Sequence, residues 1–295
     1  IWTGSNDGVV SVTRDGGKTW KNVTPKKLPK GGRVESVEPS HFDPAKAYIA
    51  VDRHLLGDAK PYLYKTNNYG ESWELISTET NGLPSDFTGR VLREDPVRQG
   101  LLYAGTEFGI FISFDDGSSW IKFQQNLPVT PITDLKIFRG DIVISTMGRG
   151  FWILDNVSAL RQKEINNLGD SPWLFKPDNT IRYRYPRISR NSFPKYPETS
   201  VIIDYYIPKG YNDGVTLEIL TENNQAVATI VSDSTQLKSS VTEVENMNLS
   251  QTFYYIDTKL EEKPGLHRFN WDLRQKGAWA SNEKRRYKNG PVVAP

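Results

Sequence analysis

Cysteine is absent from this chain of 295 residues, which removes disulfide frameworks, thiol catalysis and cysteine-built zinc sites. Histidine occurs only three times, too few for the usual imidazole metal centres. No apolar run approaches the roughly 20 residues that a membrane-spanning helix needs. Neither sign of charge dominates: 37 Lys+Arg against 35 Asp+Glu leave +2, so no global steering toward nucleic acid or acidic membrane is implied. Hydrophobic residues make up only 37%, yet 8 Trp, 14 Tyr and 12 Phe are present. That balance suits many short, half-buried strands better than Leu-rich helices. The length exceeds one ordinary sandwich and points to two domains or a repeat array.

Repeats organise the first half. Thr13-Arg14-Asp15-Gly16-Gly17-Lys18-Thr19-Trp20, Thr66-Asn67-Asn68-Tyr69-Gly70-Glu71-Ser72-Trp73 and Ser113-Phe114-Asp115-Asp116-Gly117-Ser118-Ser119-Trp120 share one template. From Trp20 to Trp73 is 53 positions, and from Trp73 to Trp120 is 47. The octet reads as a tight hairpin: Asp or Asn bonds the backbone ahead of it, Gly supplies φ > 0, and hydroxyls satisfy turn amides. The Trp then covers an apolar edge where the next strand starts. Strand-like runs flank each octet, as in Leu101-Leu102-Tyr103-Ala104-Gly105-Thr106 followed by Gly109-Ile110-Phe111-Ile112-Ser113. A fourth unit over 132–155 lacks the octet. Four antiparallel strands per unit of about 40–50 residues is the pattern of a β-propeller blade.

The octets resemble Asp-boxes, as found in BNR-repeat, sialidase-like and sortilin-type propellers, with Asn68 standing where the box has Asp. Ile1-Trp2-Thr3-Gly4-Ser5-Asn6-Asp7-Gly8 and Thr146-Met147-Gly148-Arg149-Gly150-Phe151-Trp152-Ile153-Leu154-Asp155 are similar to the last blades of large secreted proteins of Bacteroidota, often labelled glycosyl hydrolases. Beyond residue 160 the pattern breaks. Residues 161–198 carry five prolines and read as a linker, and alternating runs from Val201 onward resemble a FlgD-like immunoglobulin-type sandwich. The expected fold is therefore all-β: C-terminal propeller blades over 1–160, a Pro-rich linker over 161–198, and an Ig-like sandwich over 199–295 lacking its last strand. About three and a half blades, opening at a second strand, imply a window on a larger protein. The resemblance implies an extracellular or bacterial cell-surface location, peripheral to or anchored at the outer membrane.

Strand order locates the candidate site. The octets and the turns between first and second strands share one face, where Asp15, Trp20, Asn68, Trp73, Asp115 and Trp120 have structural roles. Loops between second and third strands, and between blades, ring the opposite face, where propeller ligands usually bind. That face carries Asn6, Arg53, His54, Phe108 and Arg149 as candidate ligand contacts, and Asp7 and Glu107 as candidate catalytic carboxylates. Xyloglucanase-type hydrolases, which these positions resemble, use paired carboxylates about 5–9.5 Å apart. Here only the neighbouring Gly of their motif is shared, and each acid could instead cap loop amides. Arg53 and Arg149 would supply two members of a sialidase arginine triad, but no third is marked.

Arg182-Tyr183-Arg184-Tyr185-Pro186-Arg187 interleaves bases with aromatics, as single-strand nucleic-acid grooves do. Near-neutral charge and the lack of a nucleic-acid-binding fold favour packing of Arg stems on rings instead. No nucleic acid, cofactor or metal is expected. Two functions remain: a surface module that binds a protein, peptide or glycan through its funnel face, and a glycoside hydrolase using Asp7 or Glu107.

Overall fold

The computed structural model describes residues 1–162, 168–181, 200–232, 260–276 and 289–292. The basic-aromatic stretch around Arg182–Arg187 lies outside them. The chain divides into two compact units, Ile1–Val157 and Ser158–Pro295.

Strands in the first unit arise from short apolar or alternating runs closed by turn residues. The first sheet holds β1 (Trp2–Gly4), β2 (Val10–Val12) and β3 (Lys21–Asn22). The second holds β4 (Arg33–Pro39), β5 (Ala47–Asp52), β6 (Tyr62–Thr66) and β7 (Glu74–Leu75). The third holds β8 (Gly89–Glu94), β9 (Leu102–Thr106), β10 (Gly109–Ser113) and β11 (Ile121–Lys122). The fourth holds β12 (Ile132–Phe138), β13 (Asp141–Thr146) and β14 (Phe151–Leu154). All neighbours are antiparallel and follow chain order, so each sheet is a meander. These are β-propeller blades. In the second and third sheets the octet joins the third strand to the fourth. The same join links β2 to β3, so β1 occupies a second-strand position.

The middle strands β5, β6, β9 and β10 are buried along their whole length. They are covered on both sides by neighbouring sheets, which is why they read as near-continuous apolar runs rather than alternating ones. Val10, Val12, Ile49, Val51 and Tyr64 fill the space between the first and second sheets. Tyr48, Leu63, Leu92, Phe111 and Trp120 fill that between the second and third.

Each octet is satisfied internally. Asp15 accepts from the Thr13 hydroxyl at 2.7 Å, the Thr19 amide at 2.9 Å and the Thr19 hydroxyl at 2.6 Å. Asp115 repeats this with Ser113 and Ser119 at 2.8, 2.8 and 2.6 Å. Thr19's hydroxyl, with its amide and Thr13, holds the Asp15 carboxyl far below the usual carboxylate range. Burial pushes Asp115 upward, but the bonds from Ser119 and Ser113 outweigh it and its carboxyl also titrates low. Asn68 keeps the amide bond at 2.9 Å but reverses the other: its Nδ2 donates to Ser72 Oγ at 2.8 Å.

The octet also docks sheet on sheet. Trp73 Nε1 donates to the Val23 carbonyl at 2.6 Å, and Trp120 Nε1 to the Ile76 carbonyl at 2.7 Å. Val23 and Ile76 each stand three positions after the octet Trp of the preceding sheet. Three positions before each docking Trp stands a positive-φ glycine pressed onto the same residue. A Cβ on Gly70 would lie 2.6 Å from Val23, and one on Gly117 2.7 Å from Ile76. The Trp is thus not confined to the edge where the next strand starts: its indole reaches back to the sheet before. Trp20 is 47% exposed, against 4% for Trp120.

A polar cluster ties the second sheet to the third. Asp116 accepts from Tyr48 Oη at 2.6 Å and Lys46 Nζ at 2.8 Å, with Lys65 Nζ at 3.2 Å, while Tyr48 Oη also reaches Glu94 at 3.1 Å. Burial opposes ionisation of Asp116, but Lys46, Tyr48 and Lys65 prevail and hold its pKa low. Burial first, then these two carboxylates, drive the Tyr48 phenol far upward.

In the second unit, helix α1 (Ser158–Gln162) precedes β15 (Trp173–Leu174), which pairs with β16 (Val201–Ile207). Two pieces of the stretch read as linker therefore belong to this unit, because Phe175, Ala159 and Leu168 find a shared apolar cluster there. β16 pairs in turn with β19 (Gly265–Trp271). A hairpin of β17 (Thr216–Leu220) and β18 (Ala226–Val231) turns at Asn224, whose φ is 58°. Its Leu217, Ile219 and Ile230 pack on Ile203, Tyr205, Ile207 and Phe269, so two layers share one core as in a sandwich. β20 (Arg274–Lys276) pairs with β21 (Asn289–Val292), which occupies the region where the last strand was expected to begin.

Candidate functional site

The four loops from second to third strand, and the loops that enter each first strand, come together on the face opposite the octets. Backbone bonds fix them: Glu107 N donates to Thr88 O at 3.0 Å and Met147 N to Pro131 O at 3.0 Å. The residue four positions after each octet Trp helps close the same loops. Thr24 accepts from Val10 N at 2.9 Å and Ser77 from Leu63 N at 3.0 Å, while Gln124 donates to Leu127 O and Pro128 O.

Arg53 is drawn inward. Its Nε donates to Asp58 at 2.9 Å, and its Nη1 lies within 2.6–3.0 Å of the carbonyls of Pro29, Lys30 and Gly31. Tyr62 Oη donates to the same Asp58 at 2.8 Å. Burial, with that carboxylate, pushes the Tyr62 phenol up to about 12. The long loop between β5 and β6 is thus clamped to the loop that enters β4. The clamp leaves a 3₁₀ turn, His54–Leu56, standing off the surface.

Asp52, the last residue of β5, is buried and orients His54. It accepts from the His54 amide at 2.8 Å and faces Nδ1 at 2.6–2.7 Å. Arg90 lies on its other side, with Nη1 3.8 Å away. Arg90 Nε donates to Glu107 Oε2 at 2.7 Å. The chain His54–Asp52–Arg90–Glu107 joins the loop faces of the second and third sheets. Phe108 follows directly, its ring 4.6 Å from that of Phe87.

Of the residues singled out by sequence, His54, Glu107 and Phe108 are brought together. Arg53 serves the adjoining clamp. Asn6 and Asp7 sit exposed on the first sheet's loop, where the Asp7 carboxylate accepts the Ser5 hydroxyl. That bond holds the Asp7 pKa below its usual value. Arg149 is exposed on the fourth sheet's loop, and its carbonyl accepts from Trp152 Nε1 at 3.1 Å.

Asp52 opens the long loop to Pro61 that the sequence marks on this face, whereas Arg90 and Phe87 carry no such mark. Arg90 sits on a β-bulge between Gly89 and Val91, and equivalent bulges fall between Val34 and Ser36 and between Ile132 and Asp134. A bulge re-aims one side chain per inner strand. Aligning the three inner strands on their apolar residues would have marked Glu35, Arg90 and Thr133 as equivalent polar positions.

No family model matches the chain, and no curated protein does. Among solved structures it is similar to YCF48 bound to D1 peptide, with 22% identity over 52% of this chain and 46% of that one, at a TM-score of 0.39. It is also similar to a GH74 xyloglucanase from Xanthomonas campestris, with 18% identity over 51% and 24% of the two chains and a TM-score of 0.39. A GH74 enzyme from Niastella koreensis aligns at 12% identity over 78% and 35%, with a TM-score of 0.42. The chain spans less than half the length of each. At such scores the matches add nothing to what the sheets themselves show.

Proposed function

We propose that this chain is part of an extracellular or cell-surface binding module. Its octets are Asp-boxes of the BNR and sortilin type, its second unit is a FlgD-like Ig domain, and the loop face opposite the octets grips a protein, peptide or glycan. The carrying observation is the character of that face. Leu55 is 88% exposed on the 3₁₀ turn, Phe108 is 40% exposed, and Leu56 and Met147 are exposed beside the same loops. Apolar side chains held out on clamped loops are what an interface uses.

The Asp7 carboxylate favours binding over hydrolysis. A glycosidase needs one acid kept protonated near neutral pH. Asp7 is held ionised by Ser5. Assaying the chain on a polysaccharide panel, with and without Asp7→Asn and Glu107→Gln, tests this. No turnover is expected; turnover abolished by either change establishes the hydrolase reading.

A further inference from the structure

Two carboxylates converge on Arg90: Asp52, which also faces His54 Nδ1, and Glu107, with Arg90 largely buried between them. Arg53 and Asp58 neutralise each other in the clamp. The Glu107 side chain is 31% exposed, and only its Oε2 is engaged by Arg90. Next to it, the rings of Phe87 and Phe108 meet at 46°, with Phe87 braced edge-on against Phe111 at 6.1 Å. A partly exposed carboxylate beside an exposed aromatic ring attracts a cation twice, by charge and by the ring's negative face. The exposed Leu55 and Leu56 extend from the other end of the His54–Asp52–Arg90–Glu107 chain.

We propose that this face takes a protein segment that presents a lysine or arginine next to a bulky aliphatic residue. The cation sits between Glu107 and Phe108, and the aliphatic side chain lies against Leu55. This deepens the binding reading above and rests on it. An acidic segment would bring a third carboxylate beside Asp52 and Glu107. A neutral sugar has no use for the protruding leucines.

Binding of capped peptides to the whole chain, followed by isothermal titration calorimetry, tests the assignment. Three probes differ at one position beside leucine: lysine, its uncharged analogue norleucine, and glutamate. The lysine peptide is expected to bind about tenfold more tightly than the norleucine peptide. Glu107→Gln should erase that difference, with a cooperative thermal unfolding transition confirming that the variant is folded. Leu55→Ser should weaken the lysine and norleucine peptides alike. Equal or tighter binding of the norleucine or glutamate peptide overturns the cation assignment, as does a preference for lysine that survives Glu107→Gln. A neutral oligosaccharide that binds in a Phe108→Ala-sensitive way, with no peptide binding, replaces the partner chemistry but keeps the binding face. If no probe binds, the inference falls. If binding is untouched by both Phe108→Ala and Leu55→Ser, the face itself is the wrong surface.

Discussion

Asn68 shows how little chemistry an octet turn needs. In the octets of Asp15 and Asp115 a hydroxyl donates to the second carboxylate oxygen. In the octet of Asn68 the amide donates to Ser72 instead, and the hydroxyl turns round to accept. One hydrogen bond replaces another of opposite sense, and the main amide bond is unchanged. Asn68→Asp should therefore alter stability by no more than about 0.5 kcal/mol, read from urea denaturation. Asp115→Ala should cost about 1–2 kcal/mol, because the Ser119 amide and the hydroxyls of Ser113 and Ser119 lose their acceptor. Turn residues of this type were legible in the sequence because their function is local. Arg90 was not, since its partners Asp52 and Glu107 stand 38 positions before it and 17 after it, and only the closed sheets bring them near.

At the scale of elements, the octet's Trp acts on a neighbour rather than on its own hairpin. The same substitution should then give different results in different sheets. Trp120→Phe is expected to cost about 2 kcal/mol, mainly from lost packing, because Asn81 Nδ2 still donates to the Ile76 carbonyl. Trp20→Phe should change stability by less than about 0.5 kcal/mol, since Trp20 is half exposed. Thermal unfolding of the two variants side by side checks this, and equal losses would remove the docking role. The four-unit repeat and the strand order were readable from periodicity and turn spacing. The direction of docking was not, because the residue that receives Trp120 lies 44 positions earlier and carries no signature of its own.

At the scale of the first unit, acid loosens the contact between its second and third sheets through a single residue, Asp116. Its folded pKa is depressed, with Lys46, Tyr48 and Lys65 outweighing the effect of burial. A depressed carboxylate contributes stability that is fully present above the unfolded value of about 3.9 and is lost as pH falls through the lower folded value. Stability of the native chain should thus fall more steeply below about pH 4 than that of Asp116→Asn. At neutral pH Asp116→Asn should be less stable by on the order of 3 kcal/mol, because Lys46 is left buried beside a neutral amide and Lys65 keeps only Glu74. Chemical denaturation at several pH values, with and without the substitution, measures both effects.

The Trp and Gly dock has a polarity. The second and third sheets each bring the plug, and the sheet made before holds the socket. During synthesis from the N-terminus, a newly completed octet meets a partner that is already folded. It never waits for one still to be made. Assembly of these three blades is in that sense vectorial: the first sheet is the template on which the second closes, and the second that for the third.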